Sequence, residues 1–250
     1  MCIRKESAAW RKIWENRKID ESLFKETDVN TLFAGLKKCN GFDVVGGIPL
    51  ESLLEQYSIT KKTLLSFAPD AGSIFEVGCG SGANLLLFER DGWTVGGLDY
   101  SKTLIETAAS VLHTDDLTYS PASGLSVEPC YDCLLSNSVF SYFPDHEYAE
   151  IVLDKMCRKA NYAVILFDIH DVGKKDDFIA YRRSIIEDYE ERYRDLGKLF
   201  YDRSFFEKAA SRNNMSIEFI EYSMNGYWNN EFVFNLIMYK NNQEKCNMAG

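Results

Sequence analysis

The stretch FEVGCGSGANLLLF, residues 75–88, decides the fold. It opens like a strand, passes three glycines at alternate positions and ends in an apolar run of helical character. Glycine reaches positive φ without strain and lets a ligand approach the backbone closely. Gly78, Gly80 and Gly82 therefore predict a tight strand-to-helix turn. The helix start behind them offers unpaired N–H groups and a partial positive charge to a polar or anionic ligand group. A nucleotide-type cofactor is the expected guest.

Two cofactor classes meet this geometry. Gly78-Cys79-Gly80-Ser81-Gly82-Ala83 fits the loose GxGxxG/A dinucleotide pattern. The next apolar run ends in Asp99, where a carboxylate can accept both hydroxyls of an adenosine ribose. Glu76 weighs against a dinucleotide, because it sets a negative charge where a pyrophosphate would approach. It suits a cofactor carrying an ammonium and a sulfonium. The chain also closes with two alternating strands instead of the second βαβαβ half that a dinucleotide needs.

Outward from the glycines, strand and helix patterns alternate. Strands are expected at 73–77, 94–99, 116–119, 132–135 and 162–168. Helices are expected at 83–90, 102–112 behind Ser101, from Asp145 to Arg158, over the charged region 174–195, and at 205–211 behind Asp202 or Ser204. This alternation implies a parallel sheet. The runs 216–222 and 232–239, joined by a turn at Asn225-Gly226, must pair antiparallel. Upstream, Trp10 and Trp14 share one helix face, and LESLLEQYSITKKTLLSFA reads as a second helix after a flexible entry at Gly46 and Gly47. Residues 1–60 are read as a helical cap or lid and residues 61–250 as the catalytic domain.

Length and composition set outer bounds. A chain of 250 residues, 46% apolar, fits one α/β domain with a generous core. Its net charge of −10 disfavours nucleic acid and anionic membrane as partners. The opening residues lack the apolar run of a signal peptide, and seven cysteines fall in no framework pattern. The expected location is the cytoplasm, with reduced thiols. Cys130 and Cys133 form a lone CxxC with no second pair or nearby histidines, so no metal is expected.

The combination EVGCGSG (76–82), GLDYS (97–101) and YDCLLSNSVF (131–140) resembles the class I S-adenosylmethionine-dependent methyltransferases over residues 60 to 240. That resemblance implies a Rossmann-like, seven-stranded, mostly parallel sheet with the last strand antiparallel, and S-adenosylmethionine as donor. It implies that Glu76, Gly78, Cys79, Gly80, Ser81 and Gly82 hold the methionine end of the cofactor. Asp99 takes the ribose, Tyr100 and Ser101 lie beside the adenine, and Ala122 and Ser123 flank its edge. Family members often carry an acid near Pro121 for the adenine amino group. This chain has none, which leaves backbone groups or the Ser123 hydroxyl. Ser136, Asn137 and Ser138 lie under the sulfonium. The segments SNSVFSYFP, LFYDRSFF and GYWNNEFVFN look closer to bacterial small-molecule methyltransferases, some from surface-polysaccharide gene clusters. The lack of a DPPY- or NPPY-type stretch argues against the nucleic-acid members.

In an open α/β sheet the acceptor pocket lies beyond the carboxyl ends of the strands. His170 and His146 are the candidate general bases, His170 because Asp168 and Asp171 flank it. His113 precedes the third strand on the wrong side. Trp14, Phe140, Tyr142, Asp168, Tyr201 and Tyr227 are the candidate acceptor contacts. The expected reaction is O-methylation of a sugar or other small metabolite. Three alternatives stand beside it: N-methylation of a small amine, a cofactor-binding partner subunit without activity, and an NAD-dependent oxidoreductase.

Overall fold

The computed structural model describes residues 8–17, 19–42 and 47–241. The expectations that touch residues 1–7, Gly46 with its preceding turn, and 242–250 lie outside the described residues. Three N-terminal helices, α1 (Ala8–Glu15), α2 (Val29–Lys37) and α3 (Leu50–Phe67), lead into the sheet. Strands and helices then alternate: β1 (Ser73–Val77), α4 (Ala83–Arg90), β2 (Thr94–Asp99), α5 (Lys102–Val111), β3 (Leu117–Tyr119), β4 (Tyr131–Asn137), α6 (His146–Lys159) and β5 (Ala160–His170). Helices α7 (Lys175–Ile185), α8 (Tyr189–Arg192) and α9 (Arg203–Arg212) precede the closing strands β6 (Ser216–Ile220) and β7 (Val233–Tyr239).

The strand order is β3-β2-β1-β4-β5-β7-β6, with β7 antiparallel to both of its neighbours and the other pairings parallel. This is the sheet expected from the sequence. Side chains alternate across it, as the two-residue period of a strand requires. Ile74, Cys133, Leu135 and Ile165 pack with α2, α3, α4 and α5. Phe75, Val77, Leu134, Val164 and Leu166 pack with α6 and α9. Both faces are covered, which is why β5 reads as an unbroken apolar run. Asp145 caps α6 by accepting from Tyr148 N, a bond worth about 1 kcal/mol. Asp202, not Ser204, caps α9.

α3 runs unbroken through residues 60 and 61, and Leu53 and Leu64 share one core with β1 and α4. One boundary differs from the sequence reading. The charged region 174–195 is not one helix: Ile186 is extended and Asp188 is left-handed at φ 56°, which ends α7 and starts α8.

Candidate active site

β1 pairs with β2 on one side and β4 on the other, so the chain reverses its winding direction at β1. A crevice must open there, because the connections leave toward opposite faces. It is a cavity of about 620 Å3 lined by the carboxyl ends of β1, β2, β4 and β5, by α1, and by the segments around residues 178–200 and 227–229.

One end is built on the glycine turn. Gly78 N and Cys79 N both donate to Leu98 O, folding the turn over β2. Gly78 and Gly80 hold φ at 77° and 55°. A Cβ on Gly78 would strike Val139, and one on Gly80 would strike the Asn40 carboxamide. The turn is therefore a bare backbone cradle. Asp99 accepts from Gly80 N at 3.0 Å and from Ser101 N at 2.8 Å, so its carboxylate ties the cradle to the start of α5. Glu76 is 2% exposed. Its Oε1 accepts from Asn84 Nδ2 at 2.6 Å, while its buried Oε2 has no hydrogen-bond partner. The Asn84 carboxamide oxygen accepts from Lys37 Nζ at 2.8 Å. Burial pushes the Glu76 carboxyl above the usual carboxylate range and pulls the Lys37 ammonium down.

The other end is aromatic. Trp10 and Trp14 meet Tyr142 edge-on, at ring distances of 4.7 and 5.8 Å. The Trp10 indole donates to Gly197 O, and Ser101 Oγ donates to Trp14 O, which fastens α1 across the opening. At its floor, Asn229 Nδ2 donates to Asp168 Oδ1 at 2.9 Å and to His170 Nε2 at 3.0 Å. The same Nδ2 lies 3.4 Å from Tyr227 Oη. Asp168 and Ser138 hold φ at 61° at the ends of β5 and β4. Such non-glycine strain clusters where side chains must face a ligand. Lys198 Nζ lies 3.3 Å from the Tyr142 ring centroid and donates to Ser141 Oγ. Burial pulls its pKa down to about 7, against the opposing pull of Asp168.

A donor bearing an ammonium, a ribose and an adenine fits this first end: an unpartnered buried carboxylate oxygen, a cradle that a Cβ would fill, and a carboxylate at the end of β2. Residues 75–165 match a family model described as a methyltransferase domain. Over that span the chain carries a methyltransferase domain, and its fold is that of the class I methyltransferases. Solved structures share the fold. The magnesium protoporphyrin IX methyltransferase of Synechocystis with bound S-adenosylhomocysteine superposes with a TM-score of 0.57 at 16% identity, over 86% of this chain and 100% of that one. An amino pentose methyltransferase from Micromonospora echinaspora gives 0.58 at 11%, over 75% and 91%. The plantazolicin methyltransferase, complexed with a desmethyl analogue and S-adenosylhomocysteine, gives 0.56 at 19%, over 93% and 99%. No protein of curated function matches the sequence. None of the described helices is long and apolar enough to cross a membrane.

Of the residues singled out in the sequence, the cavity brings together Trp14, Glu76, Gly78, Gly80, Asp99, Tyr100, Ala122, Asn137, Ser138, Tyr142, Asp168, His170 and Tyr227. Others shape the wall from behind. Cys79 packs its side chain toward Gly97, Ser81 Oγ donates to Leu36 O, and Gly82 caps α4. Ser101 caps α5, Ser123 N donates to Tyr148 Oη, and Ser136 Oγ donates to Val77 O.

Two expectations are corrected. His146 lies off the cavity with Nε2 2.9 Å from Phe200 O. Phe140 and Tyr201 are fully buried, the Tyr201 hydroxyl donating to Phe140 O, so they are core and not acceptor contacts. His170 does line the cavity, but it is wedged against Phe178 and Phe200. Its Nε2 lies 3.0 Å from Asn229 Nδ2, and burial holds its pKa well below the usual range. Its Nδ1 is buried without a hydrogen-bond partner. Lys37, Asn40, Asn84, Lys198 and Asn229 escaped the sequence reading. Only Asn84 carried a signal, as the polar residue in the first turn after the glycines.

Proposed function

We propose that the protein moves a methyl group from S-adenosylmethionine to a small molecule that enters the aromatic end of the cavity. The observation that carries this reading is the buried Glu76 Oε2 without a partner, opening into the same cavity as Asp168. Glu76 faces the donor's ammonium and Lys37 its carboxylate. Gly78 and Gly80 let the methionine part approach the backbone. Asp99 receives the ribose hydroxyls, and Tyr100 and Ala122 flank the adenine. When bound, the donor supplies an electrophilic methyl group on a sulfonium. The chain's own task is then to align an acceptor atom and to hold or remove its proton. Asp168 is the carboxylate at that end, and Asn229 fixes one of its oxygens. α1 serves as a lid, closing Trp10 and Trp14 over Tyr142 to exclude water.

A hydroxyl of a sugar or similar metabolite is the first reading for the acceptor. A small amine is the second, supported by Asp168 as a counter-charge and by the printed description of the amino pentose methyltransferase as a structural neighbour. The test is calorimetric titration with S-adenosylhomocysteine beside NAD, using Asp99→Ala as control. Binding of the homocysteine product, lost in the control and absent for NAD, supports the reading. NAD binding in its place overturns it.

A further inference from the structure

The acceptor end carries more positive charge than its surroundings account for. Lys198, Arg182 and Lys175 all line the cavity there, and Asp168 is the carboxylate opposite them. In a chain of net charge −10 this is a local reversal of sign. Among the described residues, none of the three cations forms a salt bridge, although the surface pairs nearby do, Lys174 with Asp177 and Arg183 with Glu190. Aromatic faces and two neutral hydroxyls hold their heads instead, Lys198 donating to Ser141 Oγ and Arg182 to Tyr193 Oη. Lys198 sits over Tyr142, the Arg182 guanidinium is 4.9 Å from the Tyr193 ring and 5.0 Å from Trp228, and Lys175 lies 5.8 Å from the Phe200 ring.

Ring faces attract a cation but supply no compensating charge. Arg182 is also close enough to repel the Lys198 proton, and both repel that of His170. Like charges gathered around one cavity raise its free energy. An anion seated between them removes that cost. The body such an anion would ride on is set by Phe178, Phe200 and Trp228, which present flat apolar surface to the same space.

We infer that the methyl acceptor carries an anionic group, a carboxylate or a phosphate, held between Lys198 and Arg182, on a planar apolar body packed against Phe178 and Trp228. The inference rests on the methyl-transfer reading above for the word acceptor, but the anion site stands on the cations themselves. Lys198 and Arg182 act as specificity-determining residues: they bind a group remote from the reacting atom and so choose which molecules are aligned with it.

The test uses the full chain saturated with S-adenosylhomocysteine and titrated by calorimetry with phenyl phosphate, benzoate and benzyl alcohol. At least one anion should bind about tenfold more tightly than the alcohol, and Lys198→Met or Arg182→Gln should each cost about tenfold in that affinity. Both variants should keep wild-type affinity for S-adenosylhomocysteine, which shows that they are folded. Preference for phenyl phosphate over benzoate, or the reverse, identifies the acceptor's anion. Equal binding of the alcohol, no heat from any probe at millimolar concentration, or unchanged anion affinity in folded variants overturns the inference. So does loss of S-adenosylhomocysteine affinity in both variants, which assigns the cations to the donor. If the homocysteine ligand itself fails to bind, the methyl-transfer reading falls. The same three titrations on the unliganded chain then decide the anion site separately.

Discussion

Lys37 and Glu76, from α2 and β1, share one carboxamide: Asn84 accepts from the lysine at 2.8 Å and donates to the glutamate at 2.6 Å. The bridge ties an N-terminal helix to the glycine turn and leaves the second Glu76 oxygen for a ligand. Asn84→Leu keeps the size but removes both bonds. Hydrogen bonds to charged groups contribute about 1.5–3 kcal/mol, so affinity for S-adenosylhomocysteine should fall about ten- to hundredfold. Calorimetric titration reads this directly, and a loss under about threefold would show that the bridge does not position Glu76.

Gly80 is held at φ 55° with Asn40 where its side chain would be. Gly80→Ala adds a left-handed penalty and a clash, together about 1–3 kcal/mol. Urea unfolding should register that loss, and cofactor affinity should drop with it because the cradle is filled.

Tyr201 and Phe140 belong to the core on the α6 and α9 side of the sheet. Phe140→Ala should cost about 3–5 kcal/mol. Tyr201→Phe should cost about 1–2 kcal/mol through the orphaned Phe140 carbonyl. Chemical denaturation of both variants tests this. If Tyr201→Phe instead changes acceptor KM at unchanged stability, the tyrosine touches substrate after all.

Lys198 gives a pH dependence with a definite sign. Burial lowers its pKa from 10.5 to about 7, with Asp168 opposing and Arg182 adding to the shift. The native state therefore sheds this proton before the unfolded chain does. Between those two values the unfolded state binds more protons, so this group's contribution to stability rises with pH across the window. Lys198→Met removes the buried charge. Its Tm should exceed that of wild type at pH 6, and the gap should narrow as pH climbs beyond 7. Differential scanning fluorimetry across that range checks it, and a gap that widens with pH contradicts the assignment.

β1 and α4 are in place residue for residue from the sequence, because a glycine turn with a strand before it and a helix after it admits one local geometry. The antiparallel β6–β7 pair followed from the absence of a helix between two alternating runs. The break at Asp188 was not legible, since nothing in a run of charged residues marks where a surface helix lets go. His170 shows the limit most plainly. Its neighbours in sequence are Asp168 and Asp171, whereas its neighbours in space are Asn229, which meets its Nε2, and the rings of Phe178 and Phe200.

The sequence by itself determined the sheet, the glycine cradle, and the two carboxylates Glu76 and Asp99 beside it. These are local matters of backbone freedom and strand period within one βαβ unit. Tertiary structure alone decided which charges meet. Lys37 reaches Glu76 through Asn84, and Lys198, Arg182 and Asp168 face one another across the cavity, from segments far apart in the chain. Electrostatic partnership depends on distance and burial, and neither is written in the spacing of residues along a chain.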